Sequence, residues 1–572
     1  ALEYIRRSNF TSEAPEHVAA LLAFFSKDYT DSLKYCDVTI KKFPAFYEAQ
    51  TLQGDIYKAI GDDRRDTGNL LEAQEFYSKA KASYVSAAKK GQSDPNIYIG
   101  LCALQSGIIR MQAHQTEISP EKTYEEAISN CELAVHADPE YVPALLATAS
   151  TYFEWGIYQQ EHGQDITDTM DKAIHASKIA IQADPHNPST HLSLANAYLY
   201  LANDLANRQR DPTAYLDLSE KSLALVISKT PEDPAAYFSQ GSSFYVRGRY
   251  EKMSGKDPRT SLKKAIESFE KAIAQNPNDP VYYNKLGNTF WRIAEYETHT
   301  GLNPTESLNN AIQHFKKSLK INPNLVDTYG HIAASNAYLA EWKMSTGADP
   351  VSDFDSTVSA YERGLKINPN DPFALAGIGY ALWKKGEYLH SKHKDPTSAL
   401  QGARESLQKA LVSNKNIMEC YAIHAYVEQI AAGYAIDQKD DPAVFFQNSE
   451  KVINTALSMN SNAFESWGAL ASLTLLRSNY LHSLGKPIQT EISKGIHAAD
   501  RALSEGWEDP DTLGVRGSLY LLRARTSNES MRMRAAKEAE QCYVRAIQVK
   551  SSLHDVYKND LEEARKMMRS SN

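Results

Sequence analysis

The chain has 572 residues, 42% hydrophobic and 23% charged, with a formal net charge of −9. That composition supports burial along its length and argues against a disordered chain, for which 27 glycines and 23 prolines are sparse. The acidic balance comes with no long basic run, which argues against a nucleic-acid partner whose phosphates need clustered Lys and Arg.

The chain opens at Ala1 on the helix-like "ALEYIRRS", with no leader pattern, and a start at Ala instead of Met points to a piece of something longer. No run approaches the ~18 apolar residues of a membrane-spanning helix. Residues 12–90 carry two less regular units, marked by small residues at Ala20 and Gly54. From residue 91 to about 530 a fixed period takes over. Ala149, Ala195, Gly241, Gly287, Ala333, Gly379, Ala425, Ala471 and Gly517 are spaced 46 residues apart. Two proline series keep the same step, Pro212 through Pro442 and Pro139 through Pro369.

One unit reads as two helices. In "PVYYNKLGNTFWRIAEYETHTG", Tyr283, Leu286, Gly287 and Phe290 share a face at helical spacing. In "SLNNAIQHFKKSLKINP", Ala311, Phe315 and Ser318 do the same, and Pro323 ends the run. The bend between them carries an Asx-Pro pair. In "GKDPRTSLKK", Asp257 is expected to cap a helix whose first turn holds Pro258, a residue with no N–H to waste there. Neither helix can bury its apolar stripe alone, so the hairpins must stack. Twelve hairpins follow from the small positions between Ala20 and Gly517, and residues 531–572 supply the last second helix and one charged terminal helix.

The five cysteines are Cys36, Cys102, Cys131, Cys420 and Cys542. Cys36 and Cys131 take the large apolar slot of a second helix, and Cys102 the small slot of a first. The number is odd and no pair is close in sequence, so the expectation is buried free thiols and no disulfide framework, leaning to the cytoplasm. A periplasmic site is the alternative if a membrane helix precedes this chain.

The order aromatic-x-x-Leu-Gly-x-x-aromatic, Ala-x-x-x-Phe-x-x-small, Pro resembles the tetratricopeptide repeat. Tyr283, Leu286, Gly287, Phe290, Ala311, Phe315, Ser318 and Pro323 carry it. The resemblance implies an all-α, right-handed α-solenoid of about twelve hairpins plus a C-terminal solvating helix, forming one superhelix over residues 1–572. The family's usual period is 34, so the 46-residue step requires longer helices around an exposed bend. A second resemblance, on "GDIY…GDDRRDTGNLLEA", is to tetratricopeptide regions that follow the catalytic domain of some bacterial serine/threonine protein kinases.

No phosphate loop, H-E-x-x-H, nucleophile elbow or kinase catalytic motif is present, so the chain reads as non-catalytic, with no cofactor and no metal. His390 and His393 in "HSKH" offer two imidazoles without a third ligand, and Asp440-Asp441 before Pro442 reads as a helix cap. The family resemblance implies that the first helices line a groove, with residues one and four places after the small position facing inward. It picks out Asn196, Tyr245, Asn288, Trp291, Tyr380, Trp383 and Tyr426, with Phe238 and Asn284 nearby. Rings and amides together suit an extended polypeptide, while the plainer reading is packing between long first helices. The chaperone-tail clamp of the family, which needs Lys and Asn in successive repeats, is not found. The expected function is a protein-binding scaffold, in the regulatory part of a larger bacterial signalling protein such as a serine/threonine kinase. A recognition arm for a non-protein substrate, as in some glycosyltransferases, and an architectural spacer remain open beside it.

Overall fold

A computed structural model describes residues 14–67, 69–112, 119–504, 508–550 and 553–569, so the opening "ALEYIRRS" lies outside the described residues. Among these residues there are 25 helices and no strand. They pair as twelve hairpins, from Pro15–Phe25 with Tyr29–Lys42 to Pro510–Arg525 with Glu529–Val549, and His554–Arg569 follows unpaired. The chain divides into two compact units, Ala1–Asn278 and Asp279–Asn572. No helix among the described residues is long and apolar enough to cross a membrane.

The bend chemistry explains the 46-residue step. A regular first helix such as Pro280–His299 has 20 residues, and its partner Thr305–Ile321 has 17. First helices often open on an Asx-Pro pair: Asp279 accepts from the Val281 N–H with Pro280 in the first turn, as Asp233 and Asn187 do for theirs. The second helices differ by one residue from the expectation. Pro258 lies just outside Arg259–Gln275, and Asp257 accepts from the Arg259 N–H (3.0 Å), a donor with no partner inside the helix. Asp211, Asn303, Asp349, Asp395 and Asp441 repeat this bond two residues on, at 2.9 to 3.0 Å.

Within a hairpin the core is a knob on a flat spot. A Cβ added at Gly287 would come within 2.6 Å of the Phe315 ring, and Gly241 meets Phe269 in the same way. The small residue therefore lets the two helices close on an aromatic ring. This contact also corrects the cysteine expectation. Cys102 stands where Gly287 stands in its own repeat and Cys131 near where Phe315 stands, so their Cα atoms lie 5.4 Å apart and their sulfurs are joined. Sequence separation hid a pair that the hairpin brings face to face. Cys36, Cys420 and Cys542 are free and buried, and burial pushes the Cys36 and Cys420 thiols up to about 12.

Candidate binding face on the first helices

Inside the second unit, each first helix touches the first helix of the next hairpin, from Pro280–His299 through to Pro510–Arg525. Second helices reach the following first helix and, among the described residues, show no comparable contact with each other. First helices therefore sit closer together and form the inner face of that stack. The same order holds within the first unit from Pro95–Gln112 to Pro234–Met253.

The nine predicted residues divide into groups. In the first unit, Asn196 accepts from Ser239 Oγ at 2.7 Å. Tyr245 packs on the cluster of Ala202, Leu216 and Val246, and Phe238 leans on Phe269 with centroids 5.7 Å apart. In the second unit, Asn288 Nδ2 donates to Asn284 Oδ1 (2.9 Å), and Asn284 donates in turn to Thr328. Trp291 meets Tyr338 edge-on at 5.6 Å, under the Arg292 guanidinium. Tyr380, Trp383 and Tyr426 come together as one cluster. Trp383 stacks on Tyr426 (5.2 Å, 14°) and meets Tyr380 edge-on (5.6 Å).

The electrostatics of that cluster are one-sided. Tyr380 donates to Glu341, and burial followed by the Glu341 charge lifts its phenol well above the usual range. Tyr426 is lifted by burial first, then by Asp509, Asp511, Glu465 and Glu387. Both hydroxyls therefore stay neutral donors. Lys384 lies over the Trp383 ring at 4.1 Å and pairs with Glu387 at 2.9 Å. The Trp383 indole Nε1 is buried and has no acceptor among the described residues. His390, by contrast, is used locally, 2.9 Å from Asp437, and His393 occupies a bend.

The helix that carries Tyr380 and Trp383 also borders, at its first turn, a recess of about 390 Å³. It is bounded by the first turns of Val326–Ser345 and Pro372–Ser391 and by the end of Val351–Leu365. Asp327, Gly330, Tyr361, Gly364, Asp371 and Phe373 contribute to it. Phe373 is 69% exposed, an uncommon state for a large ring. Reading only one and four places beyond the small residue misses these positions, for Asp327 and Phe373 stand six places before it. Carried along the second unit, that register gives Val281, Asp327, Phe373, Glu419, Glu465 and Asp511, four carboxylates in six. The first-unit equivalents Ala14, Glu48, Asn96, Pro143, Ser189 and Ala235 carry one carboxylate in six.

Stacked antiparallel hairpins with a small-residue seam define a helical-repeat protein of the α-solenoid class. Residues 261–293 match the family model described as TPR repeat. Residues 261–293 thus carry a tetratricopeptide repeat, within a chain whose small residues recur every 46 positions. Among solved structures it is similar to yeast Tom70, at 15% identity over 91% of each chain with a TM-score of 0.34. It is also similar to the human IFIT1 dimer with m7Gppp-AAAA, at 13% identity over 89% of this chain and 93% of that one, TM-score 0.37. A third is a tetratricopeptide repeat protein from Parabacteroides merdae, at 15% identity over 56% of this chain and 97% of that one, TM-score 0.36. No curated protein matches the sequence.

Proposed function

We propose that the chain is a non-catalytic scaffold that holds a partner polypeptide against the first helices of its second unit. The observation carrying this is the Tyr380–Trp383–Tyr426 cluster with its unanswered Trp383 Nε1. A buried donor without an acceptor is costly in a finished core, and that cost is relieved when the side chains covering it move aside and a partner's carbonyl completes it. Rings beside it supply the large desolvated area that dominates polypeptide interfaces. The asparagine pair at Asn284 and Asn288 can answer backbone groups of the same partner, whereas Ala334 and Tyr380 interrupt any longer amide ladder of the kind a sugar-recognising arm would use. The resemblance of the opening region to kinase-associated repeats supports reading the scaffold as the regulatory part of a larger bacterial signalling protein.

The test is to pan a random peptide library on the full chain and titrate the recovered peptides against Trp383→Phe. This variant keeps a ring for the Tyr426 stack and removes the donor together with part of the indole's area. Affinity should fall roughly five- to tenfold, the worth of one hydrogen bond, with a melting temperature no lower than that of the wild type. Undiminished affinity would contradict the assignment of Trp383.

A further inference from the structure

The recess at Asp327 and Phe373 has features that packing does not explain. Glycine in a helix interior costs roughly 1 kcal/mol against alanine, so a helical glycine normally answers a close contact or a left-handed backbone. Gly287, Gly241, Gly377 and Gly379 each face a side chain within 2.7 Å of an added Cβ. Gly330 does not. Among the described glycines within helices it is the one whose Cβ would meet nothing within 4 Å, and its φ is not positive. Gly364, on the other side of the recess, has only an ordinary contact at 3.5 Å. Two helices thus give up propensity to keep a hollow open, the kind of local inconsistency that marks a functional position.

The carboxylates of the lining carry its charge, with the Lys285 and Arg292 charges reaching only as far as His331. Among its described lining residues there is no Lys or Arg, while Asp327 and Asp371 both contribute. Asp327 makes no ion pair among the described residues. Asp371 Oδ1 accepts from the Phe373 and Ala374 N–H groups, at 2.9 and 3.3 Å, which leaves Oδ2 for another donor. Those bonds also occupy two of the helix-terminal N–H groups that an anion would need. The Tyr361 phenol is raised by burial and then by Asp371 and Glu419, which brings a third carboxylate to the same place. His331, also in the lining, is held toward its neutral form by burial, so it adds little opposing charge near neutrality. The exposed Phe373 ring offers a face to a cation in water.

The geometry points to a specificity pocket in which an Arg or Lys side chain of the partner polypeptide docks, its stem along Phe373 and Tyr361 and its charge between Asp327 and Asp371. This rests on the scaffold reading above and adds what the partner must carry: a basic residue, in a segment suited to the acidic register running from Asp327 to Asp511.

Peptides recovered by panning on the full chain decide it. They should share an Arg or Lys at one fixed position, and changing that residue to Leu should weaken binding at least about tenfold. Gly330→Leu, whose Cβ would meet nothing within 4 Å and whose branch would occupy the hollow, and Asp327→Asn should each weaken the parent peptide by a similar factor. Neither should further weaken the Leu-substituted peptide. Recovery of tight peptides lacking a fixed basic residue overturns the pocket and leaves the scaffold reading standing, as does unaltered binding by both variants. Failure to recover any binding peptide overturns both. Should Gly330→Leu misfold, Asp327→Asn, a change of one charge at the helix end, still gives the answer.

Discussion

At Gly287 an added methyl group would overlap the Phe315 ring, so Gly287→Ala should destabilise its hairpin by ~1–3 kcal/mol. Phe315→Leu costs stability alone but should recover part of the loss when combined with it, because the pair shares one contact. Hydrogen exchange across Pro280–His299 and Thr305–Ile321 reads both effects, and a neutral Gly287→Ala would contradict the close approach. His314 makes a different residue-scale prediction. Its ring lies flat on Phe290 (5.6 Å, 4°) with Nδ1 buried and unpaired, and burial lowers its pKa to about 4. In the unfolded chain it takes up a proton below about 6.5. Between those values the unfolded state binds more protons, so stability falls as pH falls through that window. His314→Phe should therefore shrink the drop in melting temperature between neutral pH and pH 4 (roughly the folded value), while His331, lowered by burial as well, keeps part of the slope. An unchanged drop would contradict it. Such pairings were legible wherever a glycine faces a ring in its own hairpin. They were not at Ala333, where Tyr361, 28 residues on, instead covers Gly377 of the next first helix. Only the stacked neighbour decides which way that ring turns.

The eight first helices from Val142–Glu161 to Phe464–Ser483 are each followed by a left-handed residue at a fixed place. Gly163, Gln209, Gly255, Gly301, Gly347, His393, Lys439 and Gly485 all have positive φ, from 53° to 80°. The shared register shows that bend geometry, rather than residue type, is what repeats. A side chain there costs ~1–2 kcal/mol of steric strain. Lys439→Gly should then stabilise the chain by up to ~1 kcal/mol, and Gly301→Ala should destabilise it by about as much, seen as opposite shifts in thermal midpoint. Shifts of the same sign would contradict a common bend. The helices themselves were readable because Asx-Pro pairs and helical spacing agree in most units. Their exact starts were not, since Asp-Pro can cap with Pro inside the first turn, as at Asp279, or just before it, as at Asp257. The two arrangements leave the same dipeptide in the sequence.

For the chain as a whole, stability is shared among neighbouring hairpins, so function must be sought on a face and not in a single core. Part of that face was visible from the small-residue register: Tyr380, Trp383 and Tyr426 do meet. Trp291, at the position equivalent to Trp383, pairs with Tyr338 instead, because Ala334 stands where Tyr426 stands for Trp383. The recess stayed hidden because its residues, read singly, are a solvated Asp, an exposed Phe and two unremarked glycines, from three different helices. Trp383→Ala would confound binding with the loss of a stacked, half-buried ring. Phe373 is free of that difficulty, being mostly in solvent. The most direct measurement places a photo-crosslinking benzoylphenylalanine at position 373 on the inner face, or at position 412, where Val412 of the second helix Thr397–Ser413 is 83% exposed. Each is then irradiated with a peptide recovered on the full chain. Docking on the first helices predicts a crosslink from position 373 and none from position 412; a crosslink from position 412 with none from position 373 would contradict it.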